Sequence, residues 1–216
     1  AETDARGVTT ERVYDGMNRL VEIFDASDRE STLVRRTYDF VPEGCDLVEC
    51  TNVAGELASE SYVVDLGNGR VEEGQDRFGY DARRRRVLTG RRLGSLLDMT
   101  TEYSFDNRDR VIEMLHPDGT AVRYSYNAAS WVTGIDGFVE EIRYAPTGKI
   151  AQMRFSNGVV QSRAYDDLLR PSRMTTTGPN DALVHDFTTT INRADAVTAM
   201  TDASQSSSPS LSVDYG

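Results

Sequence analysis

Glu140-Glu141 and Asp166-Asp167 are adjacent carboxylates, and paired carboxylates are the groups that acid–base hydrolysis uses. Neighbouring side chains of a strand point to opposite faces, so neither pair forms a dyad by itself. The two histidines, His116 and His185, are not accompanied by a Gly-x-Ser-x-Gly motif, and a Ser-His-Asp site would need three residues to converge in space. The sequence therefore assigns no catalytic residue and favours a protein that is not an enzyme.

An oxygen-rich patch surrounds Gly67 and Gly69, and calcium prefers such oxygen ligands. Its members are Asp65, Asn68, Glu72, Glu73 and Asp76. Their spacing is not that of an EF-hand loop, so an acidic hairpin is the favoured interpretation. No metal or other cofactor is predicted.

The two cysteines, Cys45 and Cys50, are five residues apart. In a straight strand this separation spans roughly 16 Å, which is too far for a disulfide. We expect free thiols, or a pair formed only through irregular backbone.

The basic residues are concentrated in one place, where Arg83 to Arg86 are followed by Arg91 and Arg92. Such a cluster can dock an acidic cargo or a glycan, or form a protease-sensitive site. In an acidic protein, pairing with carboxylates on neighbouring strands is the favoured interpretation.

The composition excludes several classes of protein. The chain has 216 residues and a formal net charge of −11, with 24 Lys+Arg and 35 Asp+Glu. This charge makes nucleic acid a poor partner, because phosphate backbones would be repelled. The longest apolar runs are far shorter than the roughly 18 residues of a membrane span. Ten Tyr and seven Phe separate the chain from a disordered polyelectrolyte.

An aromatic residue followed by a turn recurs along most of the chain, at intervals that average about 22 residues. A degenerate last copy begins at Ile191. The motif residues are Tyr14 with Asp15, Tyr38 with Asp39, Tyr62, Tyr80 with Asp81, Phe105 with Asp106, Tyr126 with Asn127, Tyr144 with Gly148, and Tyr165 with Asp166.

Each copy has seven positions: an aromatic, Asp or Asn, two variable residues, a small or polar residue, a basic residue and a branched apolar one. The Asp or Asn side chain bonds the backbone two residues on, which starts a turn. A left-handed residue at the fifth position then closes a three-residue hairpin with a bulge. Arg84 and Leu169 break the fifth-position pattern, so we expect those two turns to differ.

Second turns lie between the motifs, at Asp118-Gly119 and Asn157-Gly158 among others. The segments between turns are rich in Val, Ile, Thr and Tyr, and they show no helical periodicity. The sequence therefore predicts an all-β chain of consecutive antiparallel hairpins.

The motif resembles the YD repeat of RHS-repeat proteins, whose usual core is Tyr-Asp-x-x-Gly-Arg-Leu. Tyr14 to Leu20 matches it except for Asn18 at the glycine position. The resemblance covers roughly residues 9 to 200, and the family includes bacterial polymorphic toxins, Tc-toxin cocoons and teneurins. It implies a long sheet that curls into a hollow shell. Residues 1–216 are then a single repeat segment of eight to nine hairpins, with a flexible Ser-rich loop at 203–212.

The resemblance also implies a function. A shell segment would encapsulate or present a toxin or effector domain, as part of a secreted or cell-surface protein. Its partners would be the remainder of its own shell and the enclosed effector. The alternative is a cell-surface module that binds carbohydrate or protein. Residues 213–216 look like the start of a further copy, so a fragment with open strand edges is expected.

Overall fold

A computed structural model describes residues 1–41 and 51–204. The predicted all-β fold of consecutive antiparallel hairpins is confirmed. Both cysteines and most of the predicted Ser-rich loop lie outside the described residues, so these predictions stay open. The chain divides into two compact units, residues 1–121 and 122–216.

The first unit is a run of short strands with one helical turn, α1 (Arg29–Thr32), between its third and fourth strands. Asp28 caps that turn and accepts a hydrogen bond from the Ser31 amide at 3.2 Å. The strands are β1 (Glu2–Thr3), β2 (Thr9–Tyr14), β3 (Leu20–Asp25), β4 (Val34–Tyr38), β5 (Leu57–Asp65), β6 (Val71–Tyr80), β7 (Arg86–Leu93), β8 (Leu97–Phe105) and β9 (Val111–Leu115).

The second unit continues the same pattern, and a short 3-10 turn (Pro179–Asp181) joins two of its strands. The strands are β10 (Ala121–Tyr126), β11 (Val132–Ile135), β12 (Val139–Tyr144), β13 (Ile150–Phe155), β14 (Val160–Tyr165), β15 (Pro171–Thr177), β16 (Leu183–Ile191) and β17 (Val197–Asp202).

Inside each unit, every strand pairs antiparallel with the next one in sequence. In the first unit Arg77 of β6 lies opposite Ser59 of β5 on one side and Gly90 of β7 on the other. Within each unit the sheet is open and uncurled. The resemblance implied a curled sheet, and neither unit shows that curl. Twist accumulates strand by strand, so the few hairpins of one unit are too few to bend a sheet round on itself.

The hydrophobic core is thin. Among the described residues, nine hydrophobic side chains are buried, and the main cluster consists of Val53, Ala58, Phe78 and Tyr80. Val53 precedes β5 in the chain and packs against residues of β5 and β6 in this cluster. With so little burial, the backbone ladders and the contacts between turns must supply much of the stability.

Candidate functional site: the turn edge

The motif turns connect each even-numbered strand to the following strand, and in each unit they lie along one edge of its sheet. We call this edge the turn edge. The first motif residue ends the even strand, and the pairing register shifts at that point in every hairpin. The bulge therefore recurs with the motif. The residues at the shift are Tyr14, Tyr38, Tyr80, Phe105, Tyr126, Tyr144, Tyr165 and Ile191.

The carboxylate at the second position organises the turn. One oxygen of Asp106 accepts hydrogen bonds from the amides of Arg108 and Arg110, at 2.8 and 3.1 Å. The other accepts from Nε of Arg110 at 2.7 Å. These contacts, the Arg110 guanidinium first, lower the pKa of Asp106 to about 2. The turn is thus closed by an ionised carboxylate.

The same arrangement recurs at other copies. Asp15, Asp81 and Asp166 each accept from the amides two and four residues on and from the side chain of the sixth-position arginine. Asn127 and Asn192 replace the carboxylate with an amide and keep the two backbone bonds. The backbone bonds are therefore the common element, and the ion pair is present only where Asp stands before Arg.

The fifth position is left-handed in the regular copies, including the two that were expected to differ. Its φ is 62° at Asp109 and 80° at Gly148, and it is also 62° at Arg84 and 61° at Leu169. The prediction that the turns at Arg84 and Leu169 differ is wrong, because both residues adopt the left-handed conformation against their own backbone preference. A left-handed non-glycine residue costs roughly 1–2 kcal/mol, and the side-chain bonds of the second-position carboxylate hold the turn in place against that cost.

The arginine at the sixth position reaches the next motif turn. Arg85 donates from Nη1 to the carbonyl of Asp106 and to a carboxylate oxygen of Asp109, both at 2.8 Å. Its guanidinium carbon also lies 4.8 Å from the centre of the Phe105 ring. One side chain therefore contacts the first, second and fifth positions of the following copy.

Two other arginines make the equivalent link. Arg170 donates to the carbonyl of Asn192 and the carboxylate of Asp195, both at 2.9 Å. Arg19 pairs with Asp39 at 2.7 Å and lies 4.5 Å from the centre of the Tyr38 ring. The link is thus present in both units.

Trp131 occupies the sixth position of its copy and forms an aromatic version of the link. Its ring centroid lies 4.9 Å from that of Tyr144, the first residue of the next copy. A side chain at Gly148 would bring a Cβ atom to 3.2 Å from the indole. Gly148 therefore combines a left-handed backbone with the space that Trp131 requires.

The motif tyrosines bond backwards to the preceding copy. Each hydroxyl donates to the carbonyl of the residue that opens the strand of the preceding hairpin. The pairs are Tyr38 to Leu20 at 3.2 Å, Tyr80 to Leu57 at 2.9 Å, Tyr144 to Val132 at 2.8 Å and Tyr165 to Ile150 at 2.9 Å. A copy is therefore tied to both of its neighbours.

The copy that starts at Tyr38 and Asp39 is lengthened, as its spacing indicates. Asp39 accepts from the Gly55 amide at 2.7 Å, and its own amide donates to the Glu56 carbonyl at 3.4 Å. Leu57 then opens β5. The insertion therefore begins and ends inside the turn and leaves the two strands in register.

Tyr62 does not belong to the turn edge, and its assignment as a motif aromatic is corrected. It lies in the middle of β5, where its ring covers Gly74 of β6, so closely that a Cβ atom there would be 2.2 Å from the ring. Its hydroxyl donates to Asp76 at 3.2 Å. The turn at 66–70 that follows lies at the opposite edge of the sheet, because it follows an odd-numbered strand.

The residues singled out for catalysis are not assembled into a site. Glu141 pairs with Arg143 at 2.8 Å, and Asp166 closes its own turn. His185 lies 3.6 Å from the carboxylate of Asp202, which also accepts from the Ser204 amide at 2.9 Å. The Asp202 carboxylate thus lies between His185 and Ser204. In a Ser-His-Asp site the histidine instead lies between the carboxylate and the serine.

The acidic patch and the arginine cluster are both engaged in contacts of their own. Asp65 accepts from the Gly67 amide at 2.7 Å, and among the described residues no group of His, Cys, Asp and Glu could hold a metal ion. Four of the six arginines pair with carboxylates of nearby strands and turns, whereas Arg86 lies over the Phe78 ring and Arg92 donates to the Gly94 carbonyl. These pairs are Arg83 with Asp109, Arg84 with Glu56, Arg85 with Asp81 and Asp109, and Arg91 with Asp76.

Sequence reasoning missed the links between copies. The sequence does contain a signal for these links. A basic residue at the sixth position is followed, one copy later, by an acidic residue at the fifth position, as in Arg85 with Asp109 and Arg170 with Asp195. Reading successive copies together, instead of one at a time, would have exposed this pairing.

The hairpin order and the turn edge define the class: the chain has the fold of an RHS-repeat segment, which confirms the resemblance at the level of fold. Solved structures that share it include Tc-toxin RHS-repeat structures. The crystal structure of TcdB2-TccC3 matches with a TM-score of 0.75 and 14% identity, over 93% of this chain and 11% of that chain. The TcdB2-TccC3-TEV structure matches with 0.73 and 15% identity, over 93% of this chain and 11% of that one.

A third structure, TcdB2-TccC3-Cdc42, matches with a TM-score of 0.73 and 15% identity over 92% of this chain and 10% of that chain. The chain therefore spans about a tenth of the proteins it matches. No protein-family profile and no curated protein matches the sequence. Among the described residues, the structure contains no helix with the length and apolar character of a membrane span.

Proposed function

We propose that this chain is a non-catalytic wall segment of an RHS-type shell that encapsulates or presents a toxin or effector domain. The observation that supports it is the coupling of successive copies along the turn edge. Arg85 and Arg170 each bond the backbone and a side chain of the following turn. Such coupling stiffens a sheet one layer thick, which is what a wall between two compartments needs.

The distribution of chemical groups also suits a wall better than a site. The charged motif residues are engaged in the turns, and in the part of the chain that the structure describes, the carboxylates and histidines outside the motif do not converge on a common substrate position. The proposed partners are the remainder of the same shell and an enclosed effector. By analogy with the Tc-toxin neighbours, the protein acts in a secreted toxin complex.

The alternative, a surface module that stacks carbohydrate on its aromatic rings, gains no support from the motif aromatics that pack between successive copies. Arginines lie over the rings of Tyr38 and Phe105, and Trp131 lies against Tyr144. These rings are occupied by neighbouring copies. The shell segment is therefore the function that the geometry supports best.

The test is protease protection of the effector in the intact parent protein. The domain that the reading frame encodes after this segment is expected to resist a protease that digests the same domain when it is produced alone. In a parent protein with Arg85→Gln and Arg170→Gln, the wall is expected to admit the protease, so cleavage of the effector should accelerate severalfold.

Arg12→Gln is the matched control, because among the described residues Arg12 pairs only with Glu2, at 3.1 Å and outside the turn edge. Protection should be unchanged in that variant. An effector that is cut as fast in the parent protein as alone would refute the shell function.

A further inference from the structure

The chain contains two Asn-Gly pairs, Asn68-Gly69 and Asn157-Gly158, and both lie in turns that follow an odd-numbered strand. In such a pair the backbone nitrogen of the glycine can attack the side-chain amide of the asparagine, because glycine has no Cβ to obstruct the approach. Every other asparagine of the chain precedes a residue with a side chain. The two pairs are therefore the positions where this chemistry is least obstructed by the sequence.

The turn at Asn157 and Gly158 is held at the atoms that would react. The Gly158 amide donates to the Phe155 carbonyl at 3.0 Å, and the Asn157 side chain accepts from the Val159 amide at 3.1 Å. A Cβ atom at Gly158 would lie 3.5 Å from the side chain of Pro179, so the proline ring packs close to this glycine. The attacking nitrogen and the amide that it would attack are both engaged.

The turn at Asn68 and Gly69 is open at the same atoms. Asn68 is exposed with φ 56°, and Gly69 follows with φ 74°. With any residue in 1–41 or 51–204, neither the Asn68 side chain nor the Gly69 amide makes a hydrogen bond, since the bonds that close the turn join Arg70 to Leu66 and Gly67. A Cβ atom at Gly67 or Gly69 would meet nothing beyond its chain neighbours within 4 Å. The backbone around Asn68 is therefore free to rotate toward the geometry of attack.

We propose that Asn68 is a site of spontaneous deamidation, which converts it to aspartate and isoaspartate. The Gly69 nitrogen loses its proton to base and bonds to Cγ of Asn68, and the Cγ–Nδ2 bond breaks with release of ammonia. Water then opens the five-membered succinimide ring. Attack of water at Cγ leaves aspartate, and attack at the backbone carbonyl leaves isoaspartate. Water is the only co-reactant, and no group is oxidised or reduced.

The modification changes the turn between β5 and β6 in two ways. Both products add a negative charge to a turn that Asp65 and Glu72 already flank. Isoaspartate also lengthens the backbone by one carbon, so the bond from the Leu66 amide to the Arg70 carbonyl, now 2.9 Å, cannot keep its geometry. The end of the ladder, where Asp65 lies opposite Val71, is expected to loosen. This inference goes beyond the proposed function and does not rest on it.

The test follows both asparagines in the 216-residue chain, incubated at neutral and at mildly alkaline pH. Mass spectrometry of peptides measures the gain of one dalton at each site, and fragmentation distinguishes isoaspartate from aspartate. Deamidation at Asn68 is expected to be at least about fivefold faster than at Asn157, because the hydrogen bond of the Gly158 amide must first be broken. The rate should rise with pH, since the attacking nitrogen must lose its proton.

Two matched variants and an unfolded sample sharpen the assignment. Asn68→Gln should suppress the reaction at that position, because the longer side chain would have to close a six-membered ring. Asn157→Gln is the control and should leave the rate at Asn68 unchanged. In concentrated denaturant the two asparagines should react at similar rates, because both precede glycine and only the fold distinguishes them.

Equal rates at the two sites of the folded chain, faster reaction at Asn157, or an unchanged mass at Asn68 would each overturn the inference. So would a rate ratio that stays the same when the chain is unfolded, because the difference would then come from the sequence and not from the turns. The proposed function fails separately, in the protease-protection experiment, which does not depend on Asn68.

Discussion

At the scale of single residues, the second-position carboxylate is the group on which each turn depends. Asp166 combines two backbone bonds with an ion pair to Arg170. Asp166→Ala removes all three contacts and should lower Tm by about 2 to 4 °C. Asp166→Asn should lower it less, because Asn127 and Asn192 show that an amide keeps the backbone bonds.

The control for this prediction is the neighbouring residue. Asp167 makes no hydrogen bond or ion pair with any residue in 1–41 or 51–204, so Asp167→Asn should leave Tm unchanged. Thermal unfolding followed by circular dichroism measures all three variants. Equal losses for Asp166→Ala and Asp167→Asn would show that the turn does not depend on the carboxylate.

The depressed carboxyl pKa values predict an acid limit of stability. The folded pKa of Asp106 is about 2, below the ordinary value of 3.8, and those of Asp15 and Asp166 are also lowered, mainly by hydrogen bonds from Arg19 and Arg170. Their stabilisation is fully present above pH 4 and is lost as the pH falls toward 2. Tm should therefore be flat from pH 7 to 5 and fall steeply below pH 4.

Asp106→Asn should shrink that acid-induced fall, because one of the titrating carboxylates has been removed. Melting curves between pH 7 and 2 test this directly. A variant that loses as much Tm as the unmodified chain, or a chain that is already destabilised at pH 5.5, would contradict the account.

At the scale of elements, hairpins are joined by matched residues in successive copies. Trp131 and Gly148 form one matched pair, and Arg85 and Asp109 form another. Gly148→Asp alone should be destabilising, because its side chain meets the indole. The double variant Trp131→Arg with Gly148→Asp should recover much of that loss by recreating the ion pair.

A double-mutant cycle on denaturant unfolding measures the coupling between the two sites. Substitution of Gly16→Ala is a suitable reference, because the space beyond Gly16 is open. Additive effects of the two substitutions at 131 and 148 would mean that successive copies are not coupled through the sixth and fifth positions.

The sequence predicts these elements where the information is local. Asp-Gly and Asn-Gly pairs, alternating strands and the Tyr-Asp frame identify the hairpins without any structure. The left-handed Arg84 and Leu169 escape prediction because their conformation is imposed by side-chain bonds from Asp81 and Asp166. Local preference alone points the other way.

Other features depend on partners distant in sequence. Tyr62 has the spacing of a motif aromatic, and only the strand boundaries show that it lies mid-strand over Gly74. The Arg85 link joins residues 24 positions apart, so it depends on the register of two hairpins. Such contacts are visible from sequence only when copies are compared with one another.

At the scale of the whole molecule, the account treats the chain as one stretch of a longer wall. It covers about a tenth of the length of the matched structures. A wall built from coupled copies gains rigidity with each added hairpin, because every copy contacts its neighbours on both sides.

The most direct measurement of the central claim is the sequence of the native reading frame on both sides of these 216 residues. The account predicts further Tyr-Asp copies before and after this chain, followed by an unrelated C-terminal domain. A reading frame that closes near Gly216 without further copies would contradict the shell function.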